Sequence, residues 1–304
     1  MKLLFFYLIG IFYLTPLSAQ IQEVSSGTIE RLANVRSDLI KPRNIDVWLP
    51  ENYNPERSYS VLYMHDGQML FDSTTTWNGQ EWGVDEKISQ LIENNKIEDC
   101  IVVGIWNVRE DRHNNYFPQK PFESLPSELQ DSLLNINRET NPLFGGPVDS
   151  DNYLRFIVNV VKPIVDEKYA TKKDKEHTFI IGSSMGGLIS MYAFFEYPEV
   201  FGGAACLSTH WIGGFTQNDI IPKAFQAYLS ARKALIQDRK LYFDHGTATL
   251  DSFYPPHQKE VDKIFMNTTD EPIQYLSKAF KGAAHTERDW NTRLDIPLLF
   301  LLSE

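Results

Sequence analysis

Cysteine is nearly absent from this chain: two residues in 304, Cys100 and Cys206. An exported protein can form a disulfide. However, both cysteines lie in or beside apolar strand-like runs, "CIVVGIW" and "GGAACLS", and they read as buried free thiols. Basic clusters are missing too. Lys and Arg number 29 against 40 Asp and Glu, a net charge of −11, and no Lys/Arg stripe overrides that balance. Nucleic acid is therefore not the expected partner. No group of His, Cys, Asp and Glu has metal-ligand spacing, which leaves no expected metal site. No run beyond the first twenty residues is long and apolar enough to span a bilayer. Internal repeats and low-complexity tracts are also lacking.

What is present begins with "MKLLFFYLIGIFYLTPLSAQ". One lysine, an apolar run and then the small residues before Gln20 read as an export signal over residues 1–19, cleaved after Ala19. The run is short, is broken by Pro16 and lacks a basic stop, so a retained anchor fits less well. No cysteine stands near the cleavage point to carry a lipid. The expected location is exported, periplasmic or secreted, with no membrane anchor after cleavage. Residues 20–304 then form one large domain. Strand-like runs alternate with helical ones, which argues for an α/β fold on a mostly parallel sheet. "RNIDVWLP", "YSVLYMHDG", "CIVVGIW", "HTFIIGSS", "FGGAACLS" and "KLYFDHG" read as strands, and "IQYLSKAF" fits a last one. "GVDEKISQLIENN", "NYLRFIVNVVKPIVDEKY" with a kink at Pro163, "MGGLISMYAFFEYP" and "KEVDKIFM" read as helices. The segment 107–150 breaks the alternation with five prolines and several aromatics. At most one short helix, around Ser127–Leu134, is expected there. Long insertions of this kind are usually lids or binding loops.

The chemistry centres on "FIIGSSMGGL". Gly182-Ser183-Ser184-Met185-Gly186 fits G-x-S-x-G, and it stands between a β-branched apolar run and an apolar-periodic one, the context that gives the motif meaning. A serine raised on a strained strand–helix turn needs small neighbours. The next N–H, that of Met185, opens the helix, where partial positive charge favours an oxyanion. Ser184 is the central serine, and Ser183 should face back into the sheet. A hydroxyl needs a base, and in enzymes of this type the acid and then the histidine follow the serine. His285, in the small-residue loop "KGAAHTERDW", can reach over the sheet edge. For the acid, "KLYFDHGTATLDSFY" offers Asp251, in the turn beyond a strand, and Asp244, inside the strand end; Asp251 is favoured. The loop "MHDGQMLFD" should supply a second oxyanion donor, the N–H of Gln68, with His65 and Asp66 bonded together as a brace. Trp77, Trp82, Trp106, Trp211, Tyr116 and Phe117 fall in or near loops at the C-terminal sheet edge, where an aromatic face suits a sugar ring or an aryl acid. Trp211 is the leading substrate contact of the six.

Taken together, "RNIDVWLPENY", "SVLYMHDGQMLFD", "WNGQEWGVDE", "IVVGIWN", "IIGSSMGGLISMYA", "KLYFDHGT" and "GAAHTERDW" give a chain that resembles the putative-esterase family of α/β-hydrolases. That group includes esterase D, feruloyl, acetylxylan and siderophore esterases, and mycolyl transferases. The resemblance runs over nearly all of residues 20–304. It implies the α/β-hydrolase fold, Ser184 as nucleophile, His285 as base, and oxyanion donors at Met185 and Gln68. In many relatives the acid follows the strand-end glycine by about three residues; here Asp251 stands five after Gly246. The implied activity is a serine esterase that works through an acyl-enzyme, without cofactor, on small or glycan-linked acyl esters, acetyl or feruloyl. An acyltransferase or a non-catalytic binding protein on the same scaffold are the alternatives.

Overall fold

A computed structural model describes residues 21–138, 141–266 and 274–303. The expected export segment, residues 1–19, lies outside the described residues. Eight strands form one sheet: β1 (Thr28–Val35), β2 (Arg43–Leu49), β3 (Ser60–His65), β4 (Cys100–Ile105), β5 (Thr178–Ser183), β6 (Gly203–Leu207), β7 (Lys240–His245) and β8 (Gln274–Ala279). Their spatial order is β1-β2-β4-β3-β5-β6-β7-β8. β2 runs antiparallel to both of its neighbours, and all pairs from β4 through β8 are parallel. This is the mostly parallel α/β sheet that the alternating pattern predicts.

β3, β4, β5 and β6 are buried at every position, as central parallel strands covered on both faces must be. One apolar cluster, with Tyr63, Ile180, Leu188 and Phe243, fills one face. A second, with Leu62, Ile181, Tyr242 and Leu298, fills the other. Cys100 and Cys206 are free and buried, as read from their flanking runs. Just before Pro163, where the sequence predicts a kink, a π-helical turn, Ile157–Val161, separates helical Ser150–Phe156 from Lys162–Lys168. Pro163 has no N–H to give the preceding turn, and the wider turn absorbs that missing bond. "IPLLFLL" is a helix, Asp295–Leu302, packed in the second cluster through Leu298, Leu301 and Leu302. Among the described residues no helix is long and apolar enough to cross a membrane.

Within 107–150, the helix Ser127–Leu134 is where the sequence predicts it, and short helices Arg112–Tyr116 and Gln119–Glu123 precede it. Tyr116, Phe117, Phe122, Leu133 and Phe144 are buried in the first cluster. Along that stretch the segment is a packed shoulder of the body.

The N-terminal end of the described chain is pinned to the loops after β3. Gln22 Nε2 donates to the Gln68 carbonyl at 3.2 Å, Glu23 N–H to Asp72 at 3.1 Å, and Ser25 N–H and Oγ to Asp85 Oδ2 at 2.8 and 3.0 Å. Asp85 is fully buried. Burial, then the neighbouring Glu86, raises its carboxyl from the ordinary 3.8 to about 7. Between those values the folded chain holds a proton that the unfolded chain has lost, so this group's contribution falls as pH rises through that window. Asp85→Asn keeps an acceptor for Ser25 and removes the titration. The variant is therefore expected to lose less melting temperature than the parent between pH 5 and pH 8, measured by calorimetry at both values.

Candidate active site

The register of the sheet collects the chemistry-bearing residues on one edge. Ser183 pairs with Leu207, Leu207 with Asp244, and His245 with Ala279. The C-terminal ends of β5 to β8 thus stand in a row, and Ser184, Asp251 and His285 follow the first, third and fourth of these strands.

Ser184 has φ 57° and ψ −122°, a strained conformation for a residue with a side chain. It separates β5 from the helix Met185–Glu196, and the bend is fixed by its N–H donating to the Leu207 carbonyl at 2.9 Å. A side chain at Gly182 would stand 2.6 Å from the Gly186 carbonyl oxygen, so that position has no room for one. At Gly186 an added methyl group would meet His65 and Asp66 at ordinary contact distance; there the small residue is not a steric necessity. Ser183 is buried, whereas Ser184 is half-buried. Met185 opens the helix, so its N–H has no partner within the helix.

Asp251 has no exposed surface. One carboxylate oxygen meets His285 Nδ1 at 2.5 Å. The other accepts from Ser208 Oγ and from Gly246 N–H, each at 2.5 Å. Burial pushes the carboxyl up, but the His285, Ser208 and Gly246 bonds outweigh it and hold the group below its ordinary value. It is an anion poised against an imidazole. His285 is also held through its backbone and its ring. Its N–H donates to Thr249 Oγ1 at 2.8 Å, and its ring meets Tyr254 and Trp290 edge-on at 5.9 and 5.0 Å. Thr286 caps the following helix, Glu287–Arg293, by accepting from Asp289 N–H. Gly246 is required here: a side chain would stand 2.1 Å from the Ala283 carbonyl oxygen, where the histidine loop crosses the end of β7.

Asp244 takes a different role. It too is buried, but its oxygens accept from Arg293 at 3.0 and 3.2 Å and from Tyr242 at 2.9 Å. Burial raises its carboxyl and these donors only partly offset it. Ser208 joins the two carboxylates. Its hydroxyl bonds Asp251 and accepts from Trp290 Nε1 and Arg293, both at 2.9 Å, while its N–H donates to Asp244 Oδ1 at 3.2 Å and to the Asp244 backbone carbonyl at 2.8 Å. The sequence reading passed over Ser208, Arg293 and Trp290. The signals were the polar residues of "CLSTHW" and the arginine three after "RDW".

His210 ties the elbow to this arm. Its N–H donates to the Ser184 carbonyl at 3.2 Å, and its Nδ1 bonds Tyr254 Oη at 2.7 Å. Burial, then the charges of His285, His113 and Arg112, lower its pKa well below the usual value. His65 falls to about 3, chiefly through burial. Both remain neutral imidazoles at ordinary pH.

On the other side of the elbow, Asp66 enters the turn Gly67–Met69 with φ 58°. The expected His65–Asp66 brace is replaced by two separate anchors. His65 shares a 2.8 Å bond with Tyr153, and Asp66 accepts a bidentate Arg112 at 2.9 and 2.7 Å and Asn107 at 2.7 Å. Burial raises Asp66, but Arg112 and Asn107 outweigh it and keep it ionised. Gln68 is held at its carbonyl by Gln22 and at its side chain by Asn107 N–H, at 3.2 Å each. Its own N–H lies in the first turn of the short helix. Asn107 and Arg112 both belong to the insertion.

Trp211 is not a substrate contact. It is 1% exposed, its Nε1 donates to Gln258 at 3.0 Å, and its ring packs on Phe225 and Phe243. The loop after β6 turns inward at His210, which draws the indole into the core. Tyr116, Phe117 and Trp82 are buried as well, and Trp106 bonds Asp46 beneath Arg31. Trp77 is 79% exposed. Among the described residues no three His, Cys, Asp or Glu side chains cluster to hold a metal.

The family model described as "Putative esterase" matches residues 37–133 and 140–300. A Bacillus subtilis (strain 168) relative, "Uncharacterized protein YbbA", is 26% identical over 171 residues, 56% of this chain and 58% of its own length. The chain thus spans less than two thirds of that curated relative. A ferulic acid esterase structure superposes with a TM-score of 0.65 at 18% identity, covering 91% of this chain and 98% of that one. An IroE-like serine hydrolase from Shewanella oneidensis gives 0.66 at 16% identity, over 90% and 79%. At these identities the superpositions speak for the α/β-hydrolase fold.

The buried polar cluster makes a testable demand. Arg293→Met strands Asp244 without its cation and is expected to cost about 3–5 kcal/mol, measured by urea unfolding. Adding Asp244→Asn should recover part of that loss.

Proposed function

The chain belongs to the putative esterase family, and on that premise we propose that it hydrolyses carboxylic esters through Ser184, His285 and Asp251. One observation carries the reading. A fully buried Asp251 holds His285 Nδ1 at 2.5 Å, on the sheet edge where Ser184 is raised on a strained bend. With Nδ1–H given to the carboxylate, Nε2 is left to take a proton.

The steps follow from the groups present. Ser184 Oγ attacks the ester carbonyl as His285 Nε2 takes its proton. The N–H groups of Met185 and Gln68 bind the oxygen that becomes anionic, each worth roughly 10²–10³ in rate. Asp251 steadies the imidazolium without taking its proton. His285 then protonates the leaving alcohol and an acyl-serine remains. Water, activated by the same imidazole, releases the acid and restores Ser184. No step calls for a cofactor.

The favoured substrate is an acyl ester on a polysaccharide, acetyl or feruloyl. A ferulic acid esterase among the similar structures supports this.

Ser184→Ala is expected to abolish hydrolysis of p-nitrophenyl acetate and labelling by a fluorophosphonate probe. Asp251→Asn should lower kcat by roughly 10⁴-fold, as expected when the acid no longer fixes the imidazole tautomer. Equal turnover by the parent and Ser184→Ala, or no turnover by either on a broad ester panel, would sink the reading.

A further inference from the structure

We propose that Ser208 is a positioning residue for the triad: its hydroxyl, held from behind by Trp290 and Arg293, gives its one proton to Asp251 and so keeps the proton shared by Asp251 and His285 on the imidazole. This rests on the hydrolase reading above, and it adds a fourth side chain that sets the pH range of the reaction.

Valence fixes the direction of that bond. A serine hydroxyl carries one proton and two lone pairs. Ser208 has no exposed surface. Its Oγ makes three bonds, to Asp251 Oδ2 at 2.5 Å and to Trp290 Nε1 and Arg293 Nη2 at 2.9 Å each. Indole and guanidinium nitrogens donate and never accept. Both lone pairs are therefore filled, and the proton is left with the carboxylate. A freely rotating hydroxyl could turn away from Asp251; this one is locked onto it.

Two elements hold the lock. Ser208 leaves β6 in the left-handed region, with φ 43°, and its N–H bonds Asp244 at the carbonyl and at Oδ1. Trp290 and Arg293 stand three residues apart on the helix Glu287–Arg293, so both face the hydroxyl from one side. Arg293 is fixed in turn by Asp244, at 3.0 and 3.2 Å, and lies 4.9 Å from the Phe280 ring centre. That helix begins two residues after His285. The arm that carries the base thus also directs the proton that steadies the acid.

Burial gives the bond its task. Asp251 has no exposed surface, and desolvation pushes its carboxyl towards the neutral form. A neutral acid could neither hold Nδ1–H nor balance an imidazolium. Ser208 and Gly246 oppose that change at Oδ2, while Oδ1 stays with His285. The other titratable groups nearby are engaged elsewhere. Tyr254 and His210 are kept neutral by burial. Asp244 is bound to Arg293, and the His245 ring bonds the Gly246 carbonyl at 2.6 Å. Glu287 and Asp289 accept from Asn78 and Thr286.

The test compares the parent with Ser208→Ala, Ser208→Gly and Ser208→Cys. Alanine and glycine both remove the hydroxyl, but glycine suits the left-handed backbone, so the two separate loss of the proton from loss of fit. On p-nitrophenyl acetate at pH 7, both are expected to lose about tenfold in kcat with KM little changed. The acid limb of kcat/KM should move up by about 1 pH unit, because a carboxylate stripped of a donor holds the imidazolium more tightly. In proton NMR, the His285 Nδ1–H resonance should move further downfield, since the shared proton is pulled harder towards Asp251. Ser208→Cys keeps a weak donor of similar size and should fall between these variants and the parent. An unmoved limb, an unmoved resonance, a loss carried by KM, or a change in Ser208→Ala that Ser208→Gly lacks would overturn the proposal. If the parent cleaves no ester at all, the hydrolase reading fails, and the NMR comparison still decides whether Ser208 controls the pair.

Discussion

A carboxylate with no exposed surface must have its oxygens occupied by donors, because an unpaired buried charge is among the costliest groups a fold can carry. Asp251 sits under that constraint, and much of the site follows from it. One oxygen goes to His285, and the other to Ser208 and Gly246. Ser208 can serve Asp251 because Trp290 and Arg293 satisfy its hydroxyl from the opposite side. Arg293 is held there by the second buried carboxylate, Asp244. Desolvating one anion has thus recruited an arginine and an indole from the helix after His285 and a hydroxyl from the loop after β6. The imidazole orientation is the product of that network rather than of a single contact.

The opposite wall uses the same device with a smaller cast. Asp66, in a left-handed conformation before the short helix, is fixed by Arg112 and Asn107. Both donors come from the insertion. The segment that interrupts the strand–helix alternation therefore builds the turn bearing Gln68, and its aromatic side chains are sunk in the core. Gln22 completes the support from the N-terminal side.

Much of the sheet was legible because buried parallel strands are written as continuous β-branched and aromatic runs; "TFIIGS" and "CIVVGI" allow little else. β1 was not read. It is an edge strand with half its positions exposed, and "TIERLANV" carries no apolar run. The helix Ile220–Arg232 also went unread, masked by Pro222 near its start. At the site, the strand-to-helix bend at Ser184 and the placement of Asp251 and His285 on one edge could be argued from motif and chain order. Trp211 could not. An aromatic after a strand on the active side reads alike whether its loop turns out or in, and the choice is made by Gln258, Phe225 and Phe243, which are distant in sequence. Ser208 and Arg293 failed for the same reason. A polar side chain gains meaning as a buried hub only once a sequence separation of 85 has closed.

Trp82 and Trp290 face each other across the gap between the two walls at 5.5 Å, and Trp290 touches the His285 ring. Two indoles that close, in fixed and asymmetric surroundings, make a natural optical gauge. Near-ultraviolet ellipticity depends on the rigidity of such packing, so the dichroism of this pair reports whether the histidine-bearing arm is seated, with no label and no turnover needed.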